Sequence, residues 1–145
     1  MSTKVLIVDD DPDDIAMLER ILSEEADSIR GLSDSKQVEQ VFTEFGPDIV
    51  LLDLHMPQPD GLEVLRRLRS ARASLGFLPV VVLTGDTGQV ARNSALVLGA
   101  DDFLTKPLDR QEVVLRVRNL LRTRRLYLEL ARANEDLERE LRRPK

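Results

Sequence analysis

Three short runs of branched apolar residues, Val5-Leu6-Ile7-Val8, Ile49-Val50-Leu51-Leu52 and Pro79-Val80-Val81-Val82-Leu83, proceed without polar alternation. A strand with one wet face alternates, so uninterrupted runs of this length predict strands buried on both faces. Polar chemistry follows each run at once: Asp9, Asp10 and Asp11, then Asp53, then Thr84. Open α/β sheets place their ligands at such strand ends. After Asp53 the chain enters a loop with two prolines, Pro57 and Pro59, and closes on Asp60-Gly61.

Helical patterns fill the intervals. Pro12 suits a first helical turn, and Ile15, Leu18 and Leu22 mark an amphipathic helix to about Glu24 or Glu25. Residues 28–32 form a weaker strand candidate, interrupted by Arg30 and Gly31. Ser33-Asp34-Ser35 reads as an N-cap cluster before a helix carrying Val38, Val41, Phe42 and Phe45. A third helix places Leu62, Leu65 and Leu68 inside and Arg66, Arg67, Arg69 and Arg72 outside. A fourth is expected to bury Val90, Ser94, Val97 and Leu98 and to stop at Gly99. Residues 101–105 make a half-polar fifth strand ending in Lys106-Pro107.

Five alternations of strand and helix predict a parallel sheet covered on both faces. The three apolar strands belong at its centre and the two polar ones at its edges. With right-handed crossovers this gives the flavodoxin-like doubly wound order 2-1-3-4-5. Its switch point lies between the first and third strands, placing Asp9, Asp10 and Asp53 beside one crevice, completed by Thr84 and Lys106.

Composition narrows the chemistry. No apolar run approaches the roughly 20 residues of a membrane helix, and no signal-peptide pattern precedes residue 5. The chain has no Cys and one His, which excludes disulfides, thiolate metal sites and His-based clusters. A cytoplasmic location is expected. Three carboxylates converging at one crevice favour a cation, and Mg²⁺ suits oxygen donors that leave several waters in place. A lysine and a hydroxyl beside them can hold the oxygens of a phosphoryl group. Together these are the requirements of aspartyl-phosphate chemistry, with Asp53 as nucleophile and Asp9 and Asp10 as the metal-binding pair. Asp11, Asp13 and Asp14 read as charges stabilising a helix N-terminus.

The motifs Val8-Asp9-Asp10, Asp53 with the loop to Gly61, Leu83-Thr84 and Thr105-Lys106-Pro107 resemble the receiver domain of two-component response regulators, over about residues 3–121. The resemblance implies a switch rather than a turnover enzyme. Asp53 accepts a phosphoryl group from a phosphohistidine of a sensor histidine kinase or phosphotransfer protein. Mg²⁺ is held by Asp10, Asp53, Asp9 through water and the backbone carbonyl of His55. Lys106 contacts one phosphoryl oxygen, Thr84 moves to another, and Phe103 follows as the switch aromatic, altering the face of the fourth helix, fifth strand and fifth helix. Two departures stand out: Gly85 where the family usually has Ala, and Phe103 where Tyr is commoner. His55 and Asp86 lie two residues beyond Asp53 and Thr84, where the family tunes dephosphorylation; the His55 side chain is assigned no role.

From Asp109 to about Arg142 the chain reads as one helix of about 50 Å, whereas covering the sheet takes only the part bearing Val113, Val114, Val117, Leu120 and Leu121. Residues 1–122 are therefore expected to form the receiver and residues 123–145 a projecting helical extension. Its Leu126, Leu130, Ala133 and Leu137 follow a 4-3-4 spacing, which suits either the seam of a parallel coiled-coil homodimer through residues 109–142 or a solvated single helix. Charge changes with it: residues 1–106 hold 10 basic and 19 acidic groups, and residues 107–145 hold 11 and 7. The chain is thus expected to be either the front end of a longer regulator, its stalk leading to an output domain or partner, or a standalone receiver. His55 stands where a haloacid-dehalogenase-type phosphatase needs a second acid. The arginines from 116 to 125 lack a partner reading element, so neither membrane nor specific nucleic acid is an expected partner.

Overall fold

The computed structural model describes residues 2–57, 60–72, 77–85 and 89–144, without the side chains of residues 71, 72 and 91. The expectations for Asp86 and for the Arg72 side chain lie outside the described residues. The elements are β1 (Lys4–Val8), α1 (Pro12–Leu22), β2 (Ser28–Leu32), a 3-10 turn (Ser35–Gln37), α2 (Val38–Phe45), β3 (Ile49–Asp53), α3 (Gly61–Arg72), β4 (Val80–Thr84), α4 (Gln89–Val97), β5 (Asp102–Thr105) and α5 (Arg110–Arg142). All four strand pairings are parallel, and the sheet order is β2-β1-β3-β4-β5, as the strand polarity predicts.

The two-residue period of a strand divides each apolar run between two cores. Leu6, Val8, Val50, Leu52, Val80 and Val82 pack under α2, α3 and α4. Val5, Ile7, Ile49, Leu51, Val81 and Leu83 pack under α1 and α5. Each fully buried aliphatic side chain contributes about 1.5–3 kcal/mol, which is why these runs hold the sheet's centre. β2 has little burial of its own and depends on its ladder with β1, extended by the N–H groups of Asp27 and Ser28 donating to Thr3 O. Gly31, the break in its side-chain pattern, has a packing reason: a Cβ there would collide with Ile15 of α1.

Two expectations need correction. α1 ends at Leu22 rather than at about Glu24 or Glu25, because the Ser23 hydroxyl and N–H both donate to Arg20 O and close the last turn. α4 also buries a different face. Ala95 is fully buried and Leu98 packs on the same core, whereas Val90 and Val97 are 80% and 77% exposed. Residues 90 and 97 are two turns apart on one stripe, and the small Ala95 lets the opposite stripe lie against the sheet.

α5 is continuous over 33 residues. Val113 and Val117 enter the core, and Arg118 grips Glu25 of the α1–β2 connection at 2.7 and 3.0 Å. Farther along, Arg124 donates to Asp48 at 3.2 Å and to Phe77 O, and Tyr127 packs on the Phe77 ring. Asp48 immediately precedes β3 and Phe77 lies three residues before β4, so α5 leaves at the sheet edge opposite Asp53. Leu126, Leu130 and Leu137 of the projecting part are exposed. Among the described residues no helix is long and apolar enough to cross a membrane.

Candidate functional site

The site is built from four strand ends. The Asp9 N–H donates to Leu32 O, extending the ladder one residue beyond β1, and the carboxylate is fully buried. Its Oδ1 accepts the Asp11 N–H at 3.0 Å, and Asp11 in turn caps α1 by accepting the Asp13 N–H at 2.9 Å. This tight turn leaves Asp10 exposed at the mouth of the crevice.

Asp53 ends β3, buried, with Oδ1 accepting the His55 N–H at 3.1 Å. The next residue is locked twice: the Leu54 N–H donates to Leu83 O, and Leu54 O accepts the Gly61 N–H. Gly61 lies so close that a Cβ would collide with Asp53 O and with Leu54 Cα and carbonyl carbon. The proline-bearing loop thus returns to the backbone that carries Asp53. On the other side Thr84 ends β4, and its carbonyl accepts the Lys106 N–H at 2.8 Å, with the Lys106–Pro107 peptide cis.

Carboxylate oxygens of Asp9, Asp10 and Asp53 lie within 4.8 Å of one another. Burial, followed by the nearby charge of Asp9, pushes the Asp53 carboxyl up to about 6, against the opposing pull of the His55 N–H and Lys106. Lys106 Nζ donates to Asp9 Oδ2 and Asp14 Oδ2, both at 2.9 Å, and stands 3.6 Å from Asp53 Oδ2. Burial alone lowers its basicity, but the bonds to Asp14 and Asp9 outweigh that and hold the ammonium above its ordinary range. Three hard oxygen donors sharing one small space, one of them strained toward protonation, fit a divalent oxygen-seeking cation such as Mg²⁺.

Every residue expected at the crevice is found at this sheet edge. Phe103 lies one layer lower on β5, with the Arg92 guanidinium of α4 4.7 Å from its ring centre. A Cβ at Gly85 would meet nothing within 4 Å among the described residues, so they leave room for the Ala usual in the family. Two participants were not anticipated. The His55 ring reaches Thr84, with Nε2 and Oγ1 3.4 Å apart. Asp14 sits in the acidic first turn of α1, as expected of a dipole-stabilising charge, but also forms an ion pair with Lys106. Its position five residues after Asp9, in the first turn of α1, was the available signal.

A family model described as the response regulator receiver domain matches residues 5–118. The chain is 36% identical over 119 residues to the transcriptional regulatory protein TrcR of Mycobacterium tuberculosis, covering 82% of this chain and 45% of that protein. It is 39% identical over 122 residues to the response regulator MprA of Mycolicibacterium vanbaalenii, covering 84% and 52% respectively. The chain thus spans about half the length of these curated relatives. Among solved structures, NtrX of Brucella abortus superposes with a TM-score of 0.82 at 28% identity, covering 92% of this chain and 30% of that one. With the parallel sheet and the acidic crevice at its switch point, these likenesses establish that the chain belongs to the response regulator receiver family.

Proposed function

We propose that the chain is a phosphorylation-controlled switch in which Asp53 accepts a phosphoryl group from the phosphohistidine of a sensor histidine kinase or phosphotransfer protein. One observation carries this reading: the carboxylates of Asp9, Asp10 and Asp53 converge within 4.8 Å, with the Lys106 ammonium beside them. In the transfer, an Asp53 oxygen forms the new bond to phosphorus while the phosphorus–nitrogen bond breaks. The electron pair of that bond returns to the imidazole of the donor. Asp10, Asp53, the His55 carbonyl and, through water, Asp9 would hold Mg²⁺, which supplies charge neutralisation at the phosphoryl oxygens.

The protein's own groups do the rest. Lys106 donates to one phosphoryl oxygen. Thr84 turns its hydroxyl to another, away from His55, and Phe103 shifts with it, changing the face formed by α4, β5 and α5. Residues 1–122 act as the receiver. The exposed Leu126, Leu130, Ala133 and Leu137 of the 123–145 extension form the seam of a parallel homodimer that passes the state to an output domain or partner.

Uptake of beryllofluoride with Mg²⁺, followed by fluorine NMR, tests the acceptor. Wild type is expected to bind it and Asp53→Ala to fail; no uptake by wild type, or equal uptake by both, sinks the reading. Sedimentation with and without beryllofluoride, on the whole chain and on a truncation at Arg122, tests the stalk. A monomer in every condition removes it.

A further inference from the structure

Lys106 is held by two carboxylates with different obligations. Asp9 belongs to the converging set with Asp10 and Asp53, whereas Asp14 stands outside it, on the first turn of α1. Both lie 2.9 Å from Nζ, and Asp53 is farther, at 3.6 Å. A divalent cation drawn to the set competes for the Asp9 carboxylate and repels the ammonium bound to it. A lysine tied only to Asp9 would then oppose cation entry or swing toward solvent, away from Asp53. Asp14 is a carboxylate within reach that the cation does not use. The two ion pairs are also only partly exposed, so solvent does not fully screen this exchange.

We propose that Asp14 is a positioning residue: it takes Lys106 over from Asp9 when the acidic set is occupied, keeping the ammonium at Asp53. The inference rests on the reading of Asp53 as a metal-assisted phosphoacceptor. It gives the second carboxylate of the lysine a task in the exchange between metal-free and loaded states. Asp13 provides an internal control, since it carries the same charge in the same turn and is exposed.

The test is a titration of Mg²⁺ into wild type, Asp14→Asn, Asp13→Asn, Lys106→Ala and the Asp14→Asn/Lys106→Ala double variant, read from backbone amide shifts around residues 9 and 53. Asp14→Asn is expected to weaken Mg²⁺ binding about three- to ten-fold more than Asp13→Asn, as expected for groups coupled by direct contact. The excess should vanish in the Lys106→Ala background, and Asp14→Glu should restore most of the affinity. Equal effects of Asp14→Asn and Asp13→Asn, or an undiminished effect without Lys106, overturn the proposal. Loss of Mg²⁺ binding and beryllofluoride uptake in wild type would instead overturn the phosphoacceptor reading, and this inference with it. If wild type binds both normally, a negative cycle counts against Asp14 alone.

Discussion

The guanidinium of Arg92 on α4 covers the ring of Phe103 on β5, 4.7 Å from its centre, and the buried Arg92 Nε has no hydrogen-bond partner among the described residues. Stacking of this kind is worth about 0.5–2 kcal/mol, largely offset by an unpartnered buried N–H, which costs about 1–3 kcal/mol. Arg92→Ala is therefore expected to change unfolding free energy by less than about 1 kcal/mol. The Phe103 ring resonances should nevertheless shift and broaden. Unchanged ring signals in the variant would show that Arg92 does not restrain the aromatic.

Gly61 is a different matter, because the groups a Cβ would meet are backbone atoms of Asp53 and Leu54. They cannot rotate away as a side chain can. Gly61→Ala is expected to cost about 2–4 kcal/mol through overpacking, measured as a lower urea midpoint. An unaltered midpoint would mean that the loop closes less tightly than described.

Gly85 gives the opposite expectation. A Cβ there meets nothing within 4 Å among the described residues, and its backbone is not in the left-handed region. Gly85→Ala should leave stability unchanged or raise it by up to about 1 kcal/mol, by restricting the unfolded chain. A clear loss of stability contradicts this account.

The Asp53 carboxyl gives a pH signature in metal-free protein. Its folded pKa, about 6, lies above the ordinary value of 3.8. The folded state thus binds the proton more tightly, and the penalty of ionising Asp53 grows as pH rises from about 4 to 6. Below that window the penalty is absent; above it, it is complete. Asp53→Asn should accordingly stabilise the metal-free fold by on the order of 1–3 kcal/mol at pH 7.5 and much less at pH 4. Denaturant unfolding at both values checks this; a benefit independent of pH argues against burial of a strained carboxylate.

Much of this architecture is legible in the chain. Uninterrupted runs such as Ile49-Val50-Leu51-Leu52 predict two-sided burial because both side-chain parities are apolar, and strand polarity then places Asp9, Asp53, Thr84 and Lys106 at one edge. Side-chain encounters across that edge are less legible. The approach of Asp14 to Lys106 and of His55 to Thr84 depends on how α1 and the β3–α3 loop settle on the sheet, not on local spacing. The buried face of α4 departs from its apolar pattern for a related reason. Val90 and Val97 have the stronger apolar signal, but the space beneath the helix suits Ala95.

α5 touches both ends of this machinery without a break. Its first turn begins four residues after Lys106, while Arg124 anchors it to Asp48 at the opposite sheet edge. With about 1.5 Å of rise per residue, roughly 21 Å of helix lies before that anchor and roughly 27 Å beyond it. The longer arm is therefore the one that carries the exposed Leu126, Leu130 and Leu137, and the helix runs through the anchor unbroken.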